Sequence, residues 1–142
     1  MEQTTATHRG SALSTISNGM SRVHREAYGR GPERVRTIWQ RNYVISFLEN
    51  IYTPVERTLL DAGEQKAVRD TRLTFQRAME GRFRALVEEA TGRKVVAFMS
   101  QVTFEPDMAA ELFVLEPEAH DENDGSGGLA TTNSDGARPQ TP

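Results

Sequence analysis

Cysteine is absent from the 142 residues. This one absence removes disulfides, thiolate nucleophiles, iron-sulfur clusters and thiolate zinc sites, and it suits a reducing compartment. Long apolar runs are missing too. The longest is Val95–Met99, far short of the roughly 20 residues that cross a bilayer, and the polar stretch 1–10 has no signal-peptide core. Neither a strongly basic amphipathic helix nor a lipidation motif offers direct membrane contact. The expected location is the cytoplasm, peripheral to a membrane only through a protein partner. Histidine is scarce: His8, His24 and His120 share no ligand spacing, so no metal or cofactor is expected. His24 falls on the polar side of a helical pattern and is expected to face solvent.

An excess of positive charge is missing as well. The formal charge is −3, but residues 11–116 hold 15 Lys/Arg against 14 Asp/Glu, whereas 117–142 hold one Arg against five acids. Nucleic-acid binders usually show a basic excess or a concentrated basic face; the sum supports only the second as an option. From Glu118 onward the chain is acidic, Gly- and Ser-rich and almost free of large apolar residues, so burial cannot offset its ordering entropy. The expected organisation is a disordered tail over 1–10, one domain over 11–116 and a disordered acidic tail over 117–142.

Within the domain, Leu13, Ile16, Met20, Val23 and Ala27 lie on one helical stripe that Gly29 can end. Arg34–Trp39 alternates as a strand, Gln40–Asn42 is a polar turn, and Tyr43–Leu48 should pair back as a hairpin whose second strand is apolar on both faces. Thr53-Pro54-Val55-Glu56 has the form of a capping box with proline at the first helical position. A long helix follows on the stripe Val68, Phe75, Met79, Phe83, Leu86 and Ala90, ended by Thr91-Gly92. Val95–Phe104 and Ala110–Leu115 form a second hairpin around Glu105-Pro106-Asp107. The fold class is α+β, in the order α-β-β-α-α-β-β, with a four-stranded, mainly antiparallel sheet covered by helices on one face. The two-sided apolar strands need a second cover. Homodimerisation through the open face would supply it, or the first helix could pack there.

The chemistry of catalysis is hard to assemble from these residues. Ser11, Ser14 and Ser17 lie in no nucleophile elbow and have no histidine base, and Glu88-Glu89 point about 100° apart on a helix. Asp107, Glu111, Arg30 and Arg72 are the remaining polar candidates, and turn chemistry or solvation explains each; no enzyme is expected. The turn Tyr28-Gly29-Arg30-Gly31-Pro32 can bind an anion through inward amides and a guanidinium. Gly29, Arg30, Gly31, Arg34, Arg36 and Arg72 are therefore the candidate interaction or anion-binding residues. Arg34, Arg36, Arg41, Arg69 and Arg72 could also form a basic patch. Together with an element order similar to prokaryotic KH domains, this makes a KH-like nucleic-acid binder the alternative, although the junction Ala62-Gly63-Glu64-Gln65-Lys66 lacks the G-x-x-G clamp.

Four segments taken together carry a resemblance: Tyr28–Pro32, Thr53-Pro54-Val55-Glu56-Arg57, Val87–Gly92 and Pro106–Leu115. Over about 11–116 the chain resembles the MpsC family, named for a component of the sodium-translocating membrane-potential-generating system. The resemblance implies a bacterial, non-catalytic accessory or regulatory protein of a membrane system handling ions or inorganic carbon. Its implied partners are membrane transport subunits, with no catalytic residues.

Overall fold

A computed structural model describes residues 2–118. Its elements are α1 (Glu2–Tyr28), β1 (Arg34–Gln40), β2 (Tyr43–Glu49), α2 (Pro54–Asp61), α3 (Gln65–Thr91), β3 (Val95–Thr103) and β4 (Met108–Leu115). Helix, two strands, two helices and two strands thus follow in the expected order. The sheet is antiparallel throughout, in the order β1-β2-β4-β3, which places the two hairpins side by side with β2 and β4 central.

Two of the helix boundaries follow directly from local sequence. Helix α2 starts where its sequence requires: the Thr53 hydroxyl accepts from Glu56 N while the Glu56 carboxylate accepts from Thr53 N, a closed capping box. Gly92 ends α3 in the left-handed region at φ 73°. Helix α1 begins at Glu2, where a tail through Gly10 was expected. Arg9 accounts for part of the difference: it donates to Trp39 O and stacks 4.2 Å from the centre of the Trp39 ring, tying the early turns to β1. Residues 119–142, and with them nearly all of the expected acidic tail, lie outside the described residues.

Helix α1 packs on the same side of the sheet as α3, so it does not serve as cover for the other side. Ile16, Met20 and Val23 join Val44, Phe83, Val87, Phe113 and Leu115 in one apolar cluster. Gly19 allows the close approach of the two helices, since a Cβ there would lie 2.5 Å from a Leu86 methyl. A second cluster of Leu48, Ile51, Tyr52, Val68, Val102 and Ala109 fills the other end of the sheet.

Candidate interaction surfaces and the buried polar layer

Between these two apolar clusters lies a layer of the opposite character. Strand register aligns Thr37, Ser46, Glu111 and Ser100 in one row across all four strands, facing the helices. Ser17 of α1 is 2.8 Å from the Thr37 hydroxyl, which is 2.8 Å from that of Ser46. Gln76 of α3 donates to Glu111 over 3.0 Å. Glu111 is wholly buried, and burial pushes its carboxyl up to about 8, against the smaller opposing influence of Ser100, Gln76 and the Arg72 charge. Glu111 Oε1, Gln76 Oε1 and the Ser100 hydroxyl have no hydrogen-bond partner among the described residues. An open cavity of about 210 Å³ on the β3 side is lined by Gln76 and Ser100.

One turn before Gln76, Arg72 is buried with 1% of its surface exposed. Its guanidinium grips Glu56 at 2.7 and 2.6 Å, donates to Ile51 O at 2.8 Å, and lies 3.8 Å from the centre of the Tyr28 ring and 5.2 Å from that of Tyr52. Burial pushes the Glu56 carboxyl up, but the Arg72 hydrogen bonds and charge and the Thr53 cap outweigh it, leaving Glu56 below the usual carboxylate range. Burial also raises the Tyr28 and Tyr52 hydroxyls to about 12. The same aromatic layer encloses His24, which is buried instead of facing solvent: it stacks on Phe83, and its Nδ1 is 2.8 Å from Met20 O. Burial brings His24 down to about 4, so at neutral pH the ring is uncharged and its Nδ1–H donates to that carbonyl.

The residues proposed from the sequence as one interaction site divide into three groups. Gly29 takes φ 80° to end α1, and Gly31 approaches Ser21 O so closely that a Cβ would lie at 3.2 Å. Arg30 donates to Tyr52 O, stapling this turn to the loop before α2. Arg34 and Arg36 are exposed on β1, with Arg34 facing Glu49 at 3.9 Å. Arg72 belongs to neither group, because positions 68, 72 and 76 share the buried face of α3. Nor does a five-arginine patch assemble: Arg69 lies 4.8 Å from the centre of the Phe104 ring, and Arg41 turns the β1–β2 hairpin at φ 55°. The α2–α3 junction closes tightly, with Gly63 at φ 83° and Glu64 N bonded to Leu59 O.

What the sequence pattern located less sharply is the other sheet face. On it, register aligns Ile38, Ile45, Leu112 and Met99 in one row, flanked by Gln40, Tyr43, Val114 and Ala97 on one side and Arg36, Phe47, Ala110 and Gln101 on the other. Ile38, Tyr43 and Met99 are each more than half exposed. Among the described residues, no three His, Asp or Glu side chains are grouped to hold a metal ion, and no helix is long and apolar enough to cross a membrane.

Comparison with known proteins places this architecture. A family model described as "Na+-translocating membrane potential-generating system (MpsC)" matches residues 8–117, from the second turn of α1 to just past the end of β4. The chain belongs to the MpsC family. It is also 27% identical over 104 residues to the uncharacterized protein YrhF of Bacillus subtilis (strain 168), a match spanning 67% of this chain and 80% of YrhF. No solved structure matches it. By name the MpsC family is linked to a membrane system that moves Na+, and the matched range contains both the buried polar layer and the open apolar face.

Proposed function

We propose that this chain is a cytoplasmic, non-catalytic accessory protein of a bacterial membrane ion-transport system, held at the membrane through protein contacts. The observation that carries the reading is the family match over 8–117. The geometry supports it in two ways. The buried charged and imidazole groups bond within the fold, Arg72 to Glu56 and His24 to Met20 O, and one oxygen of Glu111 accepts from Gln76. The largest unsatisfied feature is an apolar surface, which is how docking proteins present themselves.

The test is in the native bacterium. The tagged chain is crosslinked in cells and captured from the membrane fraction, and the membrane potential of a deletion strain is followed with a potential-sensitive dye as external Na+ is varied. The expected result is recovery of integral membrane transport subunits together with a Na+-dependent loss of potential on deletion. A chain that fractionates free of such subunits, in a strain whose potential is unchanged, would overturn the reading.

A further inference from the structure

Each strand of this sheet inverts the ordinary arrangement at its centre. Thr37 and Ile38, Ser46 and Ile45, Glu111 and Leu112, Ser100 and Met99 are sequence neighbours that point to opposite faces. In every pair the polar residue faces the helices and the apolar one faces out. In an antiparallel sheet with one wet face the alternation runs the other way. A row of four apolar side chains spanning the full width of the outer face, backed by a buried polar row, is the pattern of a sheet covered on both sides.

We infer that a second copy of this chain covers the face, packing sheet on sheet about a two-fold axis parallel to the strands. This rests on the reading of the open face as a docking surface and adds its occupant. Such an axis sets β1 over the partner's β3 and β2 over its β4. The central row then meets itself, Ile38 over Met99 and Ile45 over Leu112, and the large Phe47 falls over the small Ala110, which lets the layers interdigitate. The face's charges fit as well. Arg36 and Arg34 fall over the uncharged Gln101 and Thr103, and Glu49, which faces Arg34 at 3.9 Å, falls over the uncharged Met108.

The area is adequate. Four strands about 4.8 Å apart and seven residues of about 3.4 Å each give a planar footprint on the order of 450 Å² per copy. Two such faces, with side-chain relief added, approach the roughly 1,200–2,000 Å² of a specific interface. The chain's own C-terminal segment is a poor alternative, since residues 119–142 contain a single large apolar residue, Leu129, among polar, small and acidic ones.

Sedimentation or light scattering of the full chain tests the proposal, with Leu112→Arg as the disrupting variant and circular dichroism as the check that it folds. The absence of native cysteine permits a geometric test. Ile38 and Met99 of one copy stand about 14 Å apart across the sheet, three strand spacings, so a bismaleimide of about 8 Å should bridge an Ile38→Cys/Met99→Cys chain only to its partner and should bridge neither single variant. The expected result is twice the 15.9 kDa chain mass, crosslinking of the double variant alone, and a folded monomer for Leu112→Arg. A dimer that survives Leu112→Arg, or crosslinks equally well through either single variant, overturns the proposal. A monomer at every concentration also overturns it. If that monomer binds an apolar dye and Leu112→Arg abolishes the capture of membrane subunits, the docking reading stands with another occupant; if it does neither, that reading fails too.

Discussion

Replacing Glu111 with glutamine keeps the side chain's shape and its acceptor for Gln76 while removing the carboxyl that burial holds protonated. In the folded chain this group titrates at about 8 against an ordinary 4.5, so between those values the folded state carries a proton that the unfolded state has released. Stability then falls as pH rises, by about 1.4 kcal/mol per pH unit. The stabilisation is fully present below the unfolded value and is lost as pH climbs through the folded one. His24 works with the opposite sign. Its folded value of about 4 lies below an ordinary 6.5, so its contribution is present above the unfolded value and is lost as pH falls toward 4.

The two slopes oppose each other between the ordinary Glu and His values, where the wild-type stability curve should be nearly flat. Above the His value only Glu111 remains, and the curve should descend by about 2 kcal/mol before levelling near the folded Glu111 value. The Glu111→Gln chain should lose this descent and, having no carboxyl to ionise, should be the more stable protein at pH 8. Urea unfolding followed by circular dichroism at pH 6.5 and 8, at matched ionic strength and chain concentration, measures the difference directly. Parallel profiles for wild type and Glu111→Gln across this interval would refute the assignment of a protonated carboxyl to the core.

Two further perturbations probe the scaffold around this layer. Arg72→Ala strands the buried Glu56 carboxylate and should cost about 3–5 kcal/mol in urea unfolding, whereas Glu56→Gln/Arg72→Met, which leaves no charge behind, should cost markedly less; equal losses would mean that the ion pair is not the origin of the effect. Gly29→Ala forces a Cβ into a left-handed residue with open space around it, so its cost should be the conformational one of about 1 kcal/mol, and a thermal transition unchanged from wild type would contradict the turn geometry.

Much of the architecture was legible because it rests on local rules. The capping box at Thr53 and Glu56, the left-handed stop at Gly92 and the alternation of Tyr43–Leu48 each follow from residues close in sequence. The polar layer was not, because it is made by register. Thr37, Ser46, Ser100 and Glu111 carry no signal one at a time, and only the order β1-β2-β4-β3 puts them in line. Arg72 is instructive because the signal was present. Val68, Arg72 and Gln76 recur every four residues on one helix face, yet a charge on an apolar stripe reads as a surface residue unless its partner is known, and Glu56 lies across a tight turn. His24 was misplaced for the same reason: its neighbours Phe75 and Phe83 come from another helix.

The same geometry connects the interior to the surface. A domain that spends a full-width row of its sheet on Thr37, Ser46, Glu111 and Ser100, and two buried positions of α3 on Arg72 and Gln76, gives up apolar burial that a domain of this size would ordinarily use for stability. The apolar row beside the polar one on each strand, Ile38, Ile45, Leu112 and Met99, faces outward. Covering that row removes it from water without changing the buried network, so assembly and folding draw on the same strands. If a second copy covers the row as inferred, the stability of the fold will depend on chain concentration as well as on pH.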